Sequence, residues 1–205
     1  MVLPLALVTI YLATLIRCHG VITRVQGLKG SPLGVGFQGT ADSRRKSPSK
    51  HSFHTVNPNI SRECIDINPC QQDTAIIRDA EIKANAANQC GRTELGGNID
   101  VGENTENAIK EKQVTQVKSG SNVTVTVHQV NADGAGPYTC DLDETSNTGK
   151  ITHNLTVTNN VPGINGLSLA KTQSFNITVT MPKKLNCTGG ESLSYLTCES
   201  AANRM

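Results

Sequence analysis

His19 gains a second nitrogen ligand if the chain is cut after Cys18, because its free α-amino group and its imidazole then chelate one transition-metal ion such as copper. Residues 1–16 are largely apolar, and Arg17-Cys18 give way to His19-Gly20-Val21-Ile22-Thr23. That pattern places a signal-peptidase cut after Cys18 and assigns residues 1–18 to a signal peptide. Cleavage after Gly20 is the competing position and destroys the histidine terminus. A metal site also needs a second, distant ligand, so on spacing alone His19 reads as the first residue of an exposed terminus.

Other reactive groupings carry less. Asp141, Asp143 and Glu144 lack the central glycine and the later bidentate glutamate of a calcium loop, and read as a solvated turn. Glu94, Glu103 and Glu106 do not define a glycosidase pair, because nothing fixes their separation. No Gly-x-Ser-x-Gly elbow is present, which argues against esterase or protease chemistry. Of seven cysteines, Cys18 leaves with the leader, and Cys64, Cys70, Cys90, Cys140, Cys187 and Cys198 remain. An even number without CxxC spacing, in an exported chain, points to structural disulfides of undetermined connectivity.

Export is also implied by five sequons, at Asn59, Asn122, Asn154, Asn176 and Asn186, which mark glycosylation sites. The formal charge of +2 is carried by Arg17 and by Arg44, Arg45, Lys46 and Lys50, opposed locally by Asp42. Without these segments the balance is negative, so nucleic acid is excluded as a partner. Trp is absent and aromatic residues make up 3% of the chain, which argues against a sugar-stacking platform. No second apolar stretch offers a membrane span.

The elements that must position these residues are strands. Ser121 to Val130 alternates strictly, with Val123, Val125 and Val127 on one face and Asn122, Thr124, Thr126 and His128 on the other. Lys150 to Thr158 repeats the pattern with Ile151, His153, Leu155 and Val157 inward, and Ser174 to Thr180 does so with Phe175, Ile177 and Val179 inward. In each strand the sequon asparagine faces outward. Ile76, Ile77, Ala80, Ala84 and Ala87 predict one short helix within Asp73 to Gln89, capped by Asp73. Short strands separated by Gly- and Asn-rich loops predict an all-β, immunoglobulin-like antiparallel β-sandwich with one short helix and long loops, linked by disulfides, in a single domain 19–205.

The stretches INPCQQDTAIIRDAEIKANAANQCGRTELGGNIDVGENTENA, VTVTVHQVNADGAGPYTCDLDETSNTG and NLTVTNNVPGINGLSLAKTQSFNITVTMP resemble the Egh-type secreted proteins of pathogenic fungi, which are appressorium-associated cell-surface virulence factors. The resemblance covers His19 to about Gln38 and Asn57 to about Gly190. It implies secretion, a role in host penetration, and partners among fungal or host wall and surface components. It does not imply a biochemical activity. The chain departs from the family pattern twice. The basic stretch 39–55 is read as a non-native insertion, a retained short intron, with a disordered surface loop as the alternative. Residues 191–205 are read as an atypical or truncated C-terminus in which Cys198 is accidental.

An N-terminal histidine before a fungal β-sandwich is also similar to the histidine brace of lytic polysaccharide monooxygenases, copper enzymes that cleave polysaccharide oxidatively. That likeness implies His128 as the second ligand with His19, Phe175 at the axial position and Gln173 beside it. The competing reading of His128 is a polar residue on the outer face of a strand. His153, sharing a face with Leu155 and Val157, reads as a core histidine.

Overall fold

The computed structural model describes residues 20–39, 55–57, 59–88, 90–93, 96–145, 150–188 and 195–200. The leader, His19, Glu94, and residues 40–54 and 201–205 lie outside the described residues. Among the described residues, nine strands are joined in one ladder in which every pairing is antiparallel: β1 (Gly20–Gln26), β2 (Ala75–Ile76), β3 (Arg92–Thr93), β4 (Gly97–Asn98), β5 (Asn122–Gln129), β6 (Tyr138–Asp143), β7 (His153–Thr158), β8 (Gln173–Thr180) and β9 (Tyr195–Ser200). Their spatial order is β4-β3-β2-β1-β5-β8-β7-β6-β9.

The expected antiparallel β fold is what forms, and its centre is the β-branched run of β5. Val123, Val125 and Val127 are buried and pair with Val179, Ile177 and Phe175 of β8. Alternation puts them on one face, and their stiff side chains fit the pleat. Tyr138 and Cys140 of β6 join the same apolar cluster, as do Val161 and Met181. In the ladder β6 stands three strands from β5, about 14 Å away if the sheet were flat. The ladder therefore curls over its own core, with β7 as the corner: His153 to Leu155 pair with β6 and Thr156 to Thr158 pair with β8.

Ile151 is a correction to the sequence reading. It lies before β7 begins and is 60% exposed, because the pairing that fixes parity starts only at His153.

The helical segment also differs from expectation. Ala75 and Ile76 are drawn into β2, where both pair with β3 and Ala75 also pairs with Gly20, and the helix α1 is confined to Asp79–Lys83. Asp73 caps nothing, since its carboxylate is taken by Arg62 and by the backbone N–H of Asn57. After the helix, Asn85 adopts a left-handed φ of 54°, a conformation asparagine tolerates and helices end on. Arg92 anchors α1 to β3 through Glu81, at 2.7 Å. Its hydrogen bond holds the Glu81 carboxyl below the usual carboxylate range.

A second helix, α2 (Val101–Lys110), was not foreseen. Asp100 caps it by accepting from the Glu103 N–H at 2.9 Å. Its buried Asn104 both accepts from Gln38 N and donates to Gln38 O, pinning the segment that leads into residues 40–54. Phe37 and Thr55 form a β-bridge, so the described residues on either side of 40–54 lie next to each other.

Disulfides tie the described residues together. Cys64 and Cys70 are disulfide-bonded across six residues, a closure worth about 2 kcal/mol on the chain-entropy argument. Cys140 is also disulfide-bonded, and the residue directly opposite it in β9 is Cys198.

Candidate functional site

The strand alternation that exposes Asn122 on the outer face of β5 should expose His128 as well, yet His128 is only 2% exposed. Its neighbours explain this. On one side it pairs with Val21 of β1, itself buried, and on the other with Ser174 of β8. The segment 59–74, closed by the Cys64–Cys70 bridge and by an ion pair between Arg62 and Asp73, carries charges that reach this ring.

Asp73 is wholly buried, and both of its oxygens are engaged. Oδ1 accepts from Arg62 Nη1 at 2.8 Å, while Oδ2 accepts from Arg62 Nη2 at 2.6 Å and from Asn57 N at 3.1 Å. The forked geometry is the one in which an arginine and a carboxylate bind most strongly. Both charges lie close enough to act on His128. Burial lowers the His128 pKa below its ordinary value, Arg62 lowers it further, and Asp73 opposes the shift. The imidazole is therefore neutral at neutral pH.

Its tautomer follows from the hydrogen bonds. Nδ1 lies 3.0 Å from Ser174 Oγ, whereas the buried Nε2 has no hydrogen-bond partner among the described residues. A buried N–H without an acceptor is rarer and costlier than an unmatched lone pair. The proton therefore belongs on Nδ1, donated to Ser174, and Nε2 presents a bare lone pair. That is the form in which histidine binds a metal.

The remaining candidates fall elsewhere. Phe175 lies across from Val127, on the opposite face of β8 from Ser174, and packs on the apolar core. Gln173 shares that parity and pairs with Gln129. The structure thus brings Ser174, not Phe175 or Gln173, to His128. His153 is half-buried and meets Glu144 at 3.2 Å. Glu144 also accepts from Asn186 N at 2.7 Å, joining β6, β7 and the segment after β8. Asp143 closes its own turn by accepting from the N–H groups of Thr145 and Lys150. Glu103 and Glu106 are exposed on α2.

All five sequon asparagines, Asn59, Asn122, Asn154, Asn176 and Asn186, are exposed. Asn122 and Asn176 lie on the outer face of the sheet among threonines, accepting from Thr180 and Thr126 respectively.

Sequence reasoning missed Arg62 and Ser174, and gave Asp73 the role of a helix cap instead of a partner for Arg62. Ser174 was recoverable from cross-strand register, whereas Arg62 and Asp73 carry no local signature.

Residues 17–198 match the Egh16-like virulence factor family. The chain belongs to that family. Among its relatives, appressoria-specific virulence factor GAS2 of Pyricularia oryzae is 29% identical over 240 aligned positions, covering 89% of this chain and 77% of its own length. Appressoria-specific virulence factor GAS1 of the same fungus is 30% identical over 187 positions, covering 88% of this chain and 64% of its own. No solved structure matches the chain. The family assignment includes Cys198, the residue the structure places opposite Cys140.

The state of His128 leads to a pH test. The unfolded chain binds a proton at the imidazole near pH 6.5, whereas the folded chain resists it to lower pH. His128 therefore lowers stability as pH falls through about 6.5 toward the depressed folded value, and contributes no such slope above it. In urea titrations at pH 7.5 and 5.5, the wild type should lose more stability on acidification than His128→Gln. Equal losses would show that the imidazole is not held neutral.

Proposed function

We propose that this chain is a secreted, glycosylated surface protein acting where an appressorium-forming fungus meets its host, by binding wall or surface components. The observation that carries this reading is the exposure of every sequon asparagine, three of them projecting from β5, β7 and β8 of a curled sheet. Strand faces rich in Thr and Asn suit a glycan-bearing exterior, and the names of the relatives supply the appressorial context. In this reading residues 1–18 are removed as a signal peptide.

The reading is tested by expressing the full chain with its own leader and digesting the culture filtrate with a glycosidase that removes N-linked glycans. The secreted protein should run faster after digestion, and deleting its gene should reduce host penetration while leaving appressoria able to form. Retention of the chain in the cell, or penetration at the wild-type rate, would refute it.

A second reading, a copper site built on His19 and His128, is favoured by one specific observation, the buried and unpartnered His128 Nε2. His19 is bonded to Gly20, and the Cα partner of Gly20 in β5 is Gln129, the neighbour of His128. Ser174 would fix the ring so that Nε2 faces the metal, and copper held there would supply oxidative chemistry toward polysaccharide. Copper(II) binding by secreted protein of verified N-terminus, followed by electron paramagnetic resonance, tests this. A nitrogen-rich spectrum that His128→Ala alters supports the site, and a spectrum indifferent to His128→Ala removes it.

A further inference from the structure

Between β7 and β8 runs the segment 159–172, which meets the sheet at the end of β5 through Gln129 and Val130. Its Leu169 is 98% exposed and its Ile164 80%, the two most exposed large hydrophobic side chains among the described residues, and Leu167 beside them is 43% exposed. Apolar side chains in solvent often mark slack loops, but this one is held tightly. Ile164 and Leu167 exchange two backbone hydrogen bonds, each 3.0 Å, across Asn165 and Gly166, whose φ values are 51° and 76°. Such a pair of left-handed residues makes the tight turn that hairpins favour.

Gly166 in turn donates to Gly136 O at 3.0 Å and accepts from Ala135 N at 3.1 Å. Ser168 N donates to Ala132 O at 2.8 Å. From the core, buried Gln129 reaches Ser168 Oγ and Ala170 O, both at 2.9 Å. Gly163 sits so near the preceding loop that a Cβ there would lie 2.6 Å from Gly136 O. The backbone is thus fixed before any partner arrives, which removes much of the ordering cost of binding.

The chemistry of the tip selects the partner. From Asn159 to Thr172 there is no acidic residue and one charge, the exposed Lys171. No aromatic ring is present to stack on a sugar. Hot spots for protein partners are built on Trp, Tyr and Arg, with Leu under-represented. Aliphatic side chains at a protruding tip, with a lysine behind them, match hydrocarbon beneath a layer of anionic headgroups. Three of the five sequons lie away from the tip, Asn122 and Asn154 at the starts of β5 and β7 and Asn186 beyond the end of β8, whereas Asn176 lies within β8 opposite Thr126.

We infer that Ile164, Leu167 and Leu169 insert into a lipid surface, with Lys171 at the headgroup level. The test is cosedimentation of the glycosylated full chain with vesicles of phosphatidylcholine alone and of phosphatidylcholine containing phosphatidylserine. The wild type should sediment with both and more strongly with the second. Because Ile164 and Leu169 are so exposed, the I164S/L169S variant should keep the wild-type circular dichroism melt while its partition coefficient falls by at least about tenfold. Lys171→Ser should lower only the increment due to phosphatidylserine. The inference is overturned if the wild type stays in the supernatant with both vesicles, or if I164S/L169S partitions as the wild type does. A wild-type dimer that I164S/L169S dissociates would assign the tip to a second copy and equally overturn it. Neither copper nor infection enters the readout.

Discussion

The buried pair between Arg62 and Asp73 is the constraint on which the unusual end of this sheet depends. A carboxylate with no exposure is tolerated only when its charge and lone pairs are met. Here two guanidinium nitrogens and one backbone N–H meet them. The pair ties Arg62 and the Asn57 N–H to Asp73, two residues before β2, and both of its charges act on His128. His128 is buried and neutral beside it, and so presents a lone pair rather than a charge.

From this follows a molecule with two different ends. Around the starts of β5 and β7 and the end of β8 the surface is threonine, asparagine and sequon. Around their opposite ends lie the covered imidazole, the start of β1 and a rigid aliphatic tip. About eight residues of strand, some 25 Å, separate Asn122 from the tip, and Asn176 stands between them on β8.

Much of the sheet was legible from the chain. Val123, Val125 and Val127 announce their face because β-branched residues at period two have one way to be buried, and the sequon asparagines confirm the parity. What was not legible depends on segments distant in sequence. Ile76 has helical spacing with Ala80, but its pairing with β3 overrides it. Helix α2 is masked because only Asn104 and Ala108 are buried on it, a pattern too polar to read as amphipathic. His128 follows the outward parity of its strand and is buried all the same, since parity says which face a side chain takes and not what covers that face. Phe175 takes the inward face that the alternation of its strand predicts, opposite Val127.

The most direct test of the clamp is urea denaturation of Asp73→Ala at neutral pH. Removing one partner of a buried ion pair leaves Arg62 and the Asn57 N–H unmatched. The unfolding free energy should therefore fall by about 3–5 kcal/mol. A loss below about 1 kcal/mol, of the size an exposed pair gives, would contradict a clamp at this position.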